Sequence, residues 1–135
     1  MTERAGERAI DRELEERAAA AQPLAYAPYS RFPVGAAVRM GGKTYEGVNV
    51  ESASYPLTVC AERNAIAAAA SVGLRKPQAV AVVTDATPPS RPCGLCRQTL
   101  VEFAKDLPIL VVNVDGIREE TTLAEIFPQP FSLRG

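Results

Sequence analysis

Three cysteines and a glutamate carry the chemistry legible in this chain: Cys60-Ala61-Glu62 in one block and Pro92-Cys93-Gly94-Leu95-Cys96 in another. Cys93 and Cys96 stand at i and i+3, so the first turn of a helix brings both sulfurs to one side. A helix start, with its positive dipole end and free N–H groups, favours the thiolate that metals bind. Pro92 suits such a start, because the N–H it lacks would go unpaired anyway. The chain contains no histidine. Three thiolates therefore supply three good zinc ligands, one short of a closed structural site, whereas catalytic zinc keeps its fourth position for water. An acidic side chain could close the tetrahedron instead. A thioredoxin-like redox pair or half a zinc ribbon would show the same CxxC spacing. The third cysteine argues against the first, and the missing fourth Cys or His against the second. Three thiolates on a divalent ion leave an anionic site, which Arg63 is placed to offset unless it is simply a surface arginine. Glu62 reaches the metal of Cys60 only if both occupy the first turn of their helix, with Thr58 available as its cap.

These residues need elements to hold them. Ile10, Leu14, Ala18, Ala21 and Ala25 recur at helical spacing among charges of both signs, which predicts an amphipathic covering helix. Pro28 and Pro33 bracket an irregular stretch. Residues 34–40 and 43–51 read as two strands around Gly41-Gly42, a pair suited to a tight hairpin. Residues 59–72 read as a helix buried on all sides and ended by Gly73. Residues 78–84 read as a buried strand, and a second metal-bearing helix is expected from Cys93 to about Lys105. PILVVNV, Asp115-Gly116 and IREET follow as strand, turn and strand, and LAEIF as a last helical turn. That order suggests one sheet covered by helices.

Composition narrows the classes of function. A chain of 135 residues is expected to form a single domain, residues 1–135, with one proper core. Fifteen basic and sixteen acidic residues leave a net charge of −1, which offers no electrostatic footprint for nucleic acid. No apolar run approaches the ~20 residues of a membrane span, and the charged opening stretch has no secretory apolar core. The expectation is a cytoplasmic protein whose odd cysteine count speaks for metal or catalysis rather than disulfides.

Beyond those spacings, AYAPYSRFPVGAAV, GVNVESASY, TVCAERNAI and PCGLCRQTLVEF resemble, in order and spacing, the blocks of the small cytidine deaminases of pyrimidine nucleoside salvage. The resemblance runs from about Ala25 to Phe131. It implies a three-layer α/β/α sandwich with a mixed five-stranded sheet. It also implies hydrolytic deamination of cytidine and 2′-deoxycytidine, with one zinc held by Cys60, Cys93 and Cys96 and with Glu62 as proton shuttle. Asn49 and Glu51 resemble the ribose-binding pair; as i and i+2 of a strand they would face the pocket together, with Val48 and Val50 facing the core. By the same resemblance Phe32 lines the pyrimidine pocket, the Ala61 backbone contacts the base and Tyr55 belongs to the ribose segment. Phe131 would reach a neighbouring subunit's site in a homotetramer. Val48, Ser52, Pro56 and Ala67 depart from the family's commoner residues. Glu51 favours an ordinary nucleoside over the antibiotic nucleosides of related deaminases, and the balanced charge speaks against polynucleotide editing.

Overall fold

The computed structural model describes residues 10–133, so residues 1–9 of the charged opening stretch and residues 134–135 lie outside the described residues. Helix α1 (Arg12–Ala21) starts at Asp11, whose carboxylate accepts from the Leu14 N–H at 3.0 Å, and it buries Leu14, Ala18 and Ala21. Ala25 does not continue that helix; a short 3₁₀ turn, Gln22–Leu24, intervenes and leaves Ala25 extended. Strands β1 (Gly35–Met40) and β2 (Lys43–Val48) form the expected hairpin, and Gly41 and Gly42 supply its turn with φ of 62° and 75°.

Helix α2 (Ala61–Ala70), strand β3 (Pro77–Thr84), helix α3 (Gly94–Phe103), strands β4 (Pro108–Asn113) and β5 (Arg118–Thr122) and the short helix α4 (Leu123–Ile126) complete the order. The five strands lie as β2-β1-β3-β4-β5, antiparallel except for β3 and β4, which run parallel with α3 as their crossover. The inner strands are almost wholly buried and read as continuous apolar runs. The charged strand β5 is solvated at one edge, which discourages pairing with another chain.

Alternation along the inner strands divides the core in two. Ala37, Ala81, Val83 and Leu110 pack under α1 with Leu14 and Ala18. Val38, Val80, Val82, Ile109 and Val111 face the other way and pack with Ala65 and Ile66 of α2, Leu100 of α3 and Leu123 of α4. The result is the expected three-layer α/β/α arrangement around a mixed five-stranded sheet. Arg39 pins the first layer: its terminal nitrogens reach Asp11 at 3.0 and 2.9 Å and Glu13 at 3.0 Å.

Helix α2 differs from its reading as a helix buried all round. Ala61, Ala65, Ile66 and Ala69 face the sheet, but Ala67 and Ala68 are exposed. Alanine hides such a face from sequence patterning, because it is equally at home in a core and on a helix surface. Gly47 on β2 sets how closely α2 lies. A β-carbon there would fall 2.3 Å from the Ala61 carbonyl oxygen and 2.4 Å from the Ala65 nitrogen.

Candidate active site

Two helix starts meet beside the carboxyl end of β3. Cys60 is the N-cap residue of α2 and Cys93 that of α3, both with extended backbone. Ala61 and Glu62 occupy the first turn of α2, and Cys96 the first turn of α3. The Cys60 and Cys93 sulfurs lie 3.6 Å apart and those of Cys93 and Cys96 3.3 Å, with all three within 4.8 Å of one another. Tetrahedral zinc with Zn–S of about 2.3 Å separates its sulfurs by ~3.8 Å, so the cluster suits that ion with little adjustment. The donor set agrees, since all three cysteines are free.

Thr58 does not cap α2. Its hydroxyl accepts from the Ser52 N–H at 3.0 Å, and its carbonyl accepts from Arg63 at 3.1 Å. Arg63 is accordingly half-buried beside the sulfurs rather than a surface arginine, and its Nε is buried with no partner. Protons are shared unequally in the cluster. A hydrogen bond from the Cys96 thiol, against the cost of burial and helped by Cys93 and Arg63, brings Cys60 down to about 5. The same bond, with burial, pushes Cys96 up. Glu62 is 6% exposed, and burial above all, reinforced by the nearby Cys60 charge, pushes it up from 4.5 to about 7.

The cluster opens into a cleft with two adjoining compartments. One, of about 270 Å³, is lined by Phe32, Asn49, Glu51, Cys60, Ala61, Glu62 and Cys93. The other, of about 310 Å³, is lined by Tyr29 and Tyr55 and shares Ser30, Glu51 and Thr58 with the first. Nine of the ten residues singled out for the site besides Glu62 thereby line this cleft or stand at its sulfur cluster. Phe131 is not: it is 68% exposed and paired with Gln98 on α3, away from this cleft.

Asn49 and Glu51 reach the cleft by a different route from the one expected. Strand β2 ends at Val48; Asn49 is buried and Val50 is 44% exposed, so Val50 does not face the core. Val50 instead bridges Tyr26 and Val59, which bends the chain out of the sheet. The Asn49 side chain donates to the Phe32 carbonyl at 3.0 Å and accepts from the Val34 N–H at 2.9 Å. Glu51 accepts from the Tyr29 and Ser30 N–H groups at 3.0 and 3.1 Å and from the Ser30 hydroxyl, which holds its carboxyl below the usual range. Asn49 keeps one donor and Glu51 one acceptor site for a ligand. Val34, Val82, Thr84, Ser90 and Arg91 also line the cleft and were not singled out. For Val82 and Thr84 a signal existed: ligands of α/β sheets bind at the carboxyl ends of strands.

Residues 8–111 match the family described as the cytidine and deoxycytidylate deaminase zinc-binding region. The chain is 46% identical over 114 residues to a cytidine deaminase of Sporosarcina psychrophila, covering 83% of this chain and 84% of that protein. It is 44% identical over 126 residues to one of Halalkalibacterium halodurans, covering 91% and 96%. Among solved structures, a crystal structure of cytidine deaminase from Burkholderia pseudomallei superimposes with a TM-score of 0.86 at 42% identity, covering 90% of this chain and 99% of that one.

Proposed function

This chain belongs to the cytidine and deoxycytidylate deaminase family, and we propose that its cleft hydrolyses the C4–N bond of cytidine and 2′-deoxycytidine alike. Water is consumed, ammonia is released, and uridine or 2′-deoxyuridine remains. One observation carries this reading: three sulfurs from two helix starts converge beside a buried carboxyl group at the floor of an open cleft.

Cys60, Cys93 and Cys96 would hold the zinc of this zinc-binding family, and Arg63 would offset part of the thiolate charge. When bound there, zinc supplies a water whose pKa is lowered toward ~7. Glu62 does the proton transfer. Its buried carboxylate moves two protons: one from the attacking water to pyrimidine N3, and one from the new C4 hydroxyl to the amine nitrogen, which leaves as ammonia as the C4 carbonyl forms. The backbone of Ala61, buried at the cleft floor, orients the base, and Phe32 packs against its ring. The spare donor of Asn49 and acceptor of Glu51 take the sugar hydroxyls, with Tyr55 at the outer compartment.

We assign one domain to residues 1–135 and place it in the cytoplasm, where a reducing milieu keeps three ligand thiols free. Among the described residues no helix is long and apolar enough to cross a membrane. We propose a homotetramer in which Phe131 completes a neighbouring copy's cleft. Its exposure away from its own cleft supports this, as do the exposed Tyr26, Tyr29, Tyr55 and Leu57 on the segments that border that cleft.

The test is zinc content measured together with ammonia release from cytidine. About one zinc per chain with turnover, and a Glu62→Gln variant that keeps zinc but loses at least ~10²-fold in kcat, supports the assignment. A metal-free active protein, or a Glu62 variant within tenfold of the parent, refutes it.

A further inference from the structure

The cleft has two walls that belong to distant parts of the chain. One is the stretch Phe32–Val34 ahead of β1; the other is the end of β3, Val82 to Thr84. The first wall is held by hydrogen bonds at three successive residues. Asn49, itself in the cleft, takes the Phe32 carbonyl and the Val34 N–H. The Pro33 carbonyl between them accepts from Gln22 Nε2 at 3.1 Å.

Gln22 lies outside the cleft lining, just past the end of α1, and is 8% exposed. The same nitrogen donates to Asp85 Oδ1 at 2.9 Å, and Asp85 is the residue that follows Thr84 at the end of β3. One amide thus spends both of its protons tying the two walls together, and one of its acceptors is a carboxylate, which makes the stronger kind of bond. A buried amide that lost these partners would keep the desolvation cost without compensation, so the tie resists opening.

We propose that Gln22, acting through Asp85, is a positioning residue that sets the width of the cleft and thereby the affinity for the pyrimidine nucleoside. This rests on the functional reading above. Loosening the tie lets the Phe32 wall relax away from Thr84, which weakens binding of ground state and transition state alike. That pattern raises KM and leaves kcat in place.

The experiment uses the zinc-loaded enzyme and steady-state kinetics on cytidine for the parent, Gln22→Leu, Asp85→Ala and the double variant. Losing the pair of bonds should raise KM about tenfold with kcat within about threefold, each net hydrogen bond being worth roughly a threefold factor here. Asp85→Ala, which spares the Pro33 bond, should move KM the same way by less, and the double variant should match Gln22→Leu. Asp85→Ala alone decides the matter if Gln22→Leu does not fold. Unchanged KM in Asp85→Ala, a fall in kcat at constant KM, or multiplying effects in the double variant would overturn the proposal. A parent enzyme that does not deaminate cytidine would instead sink the functional reading.

Discussion

Gly47→Ala offers a sharp test of how the sheet positions the chemistry. The added methyl carbon would lie 2.3 Å from the Ala61 carbonyl oxygen, 2.4 Å from the Ala65 nitrogen and 3.0 Å from the Ala65 α-carbon. All three contacts are backbone, so no side chain can yield. Ordinary contact for such a carbon begins near 3.4 Å, so α2 must retreat from β2 by about 1 Å. Cys60 and Glu62 ride on the start of α2, whereas Cys93 and Cys96 ride on α3, which β2 does not hold. Ligand distances in a zinc site tolerate only ~0.2 Å, and a 1 Å misplacement of reacting groups costs about 10²-fold. Overpacking itself should destabilise the fold by ~1–3 kcal/mol. The variant is therefore expected to fold, to lose zinc on dialysis and to fall about 10²-fold in kcat/KM even with zinc added back. The assays are bound zinc, cytidine turnover and a denaturant melt. A Gly47→Ala protein with one tightly bound zinc and kcat/KM within threefold of the parent would refute the idea that this contact sets the ligand geometry.

Other substitutions probe separate parts of the argument. Glu62 has its folded pKa raised from 4.5 to about 7, so the folded metal-free protein holds this proton more tightly than the unfolded chain. Stability from this group is full below about 4.5, declines as pH rises toward 7 and stays lower above it; the rise converts to about 3 kcal/mol. Metal-free Glu62→Gln should then gain stability over its parent at pH 8 by up to that amount and little at pH 4.5, and equal gains at both would contradict the burial of a charge. Asp11→Ala removes both a helix cap and a bidentate partner of Arg39, and should cost about 2 kcal/mol in denaturant melts at pH 7. The Arg39 bond holds Asp11 below its usual range, so that contribution is present above about 4 and lost as pH falls through the depressed value. Glu51→Ala should lower kcat/KM on cytidine far more than on free cytosine; equal losses would assign Glu51 only to holding Tyr29 and Ser30.

The order of elements was legible because the inner strands show their burial as continuous apolar runs, as at Val80 to Val83, and α1 shows it in helical spacing, as at Leu14 and Ala18. The metal cluster was legible because i and i+3 at a helix start is a local relation, and the CxxC block satisfies it without help from the rest of the chain. What the pattern hid was settled by contacts from outside each element. Thr58 would cap α2 by local rules, but Ser52 claims its hydroxyl. Asn49 and Val50 alternate as a strand should, yet the bridges to Tyr26 and Val59 pull Val50 off the sheet and turn Asn49 inward. Gln22 and Asp85 stand 63 residues apart and match no motif, so only the folded chain brings them together.

The helix starts give this division a physical basis. The helices without a ligand, α1 and α4, are capped by Asp11 and Thr122, whose oxygens accept from Leu14 and Glu125 N–H groups. The helices that carry the cluster, α2 and α3, begin on Cys60 and Cys93 and make no side-chain cap bond. A missing cap costs a helix about 1 kcal/mol, and both metal-bearing helices bear that cost while the others do not. The positive ends of both helices point where thiolate charge gathers. Such a site is stable by virtue of the ion it would bind rather than by the local rules that stabilise ordinary helix ends. A cysteine at the position where serine, threonine or aspartate is expected, twice in one chain and with Glu62 two residues on, therefore marks where local stability has been given up for chemistry.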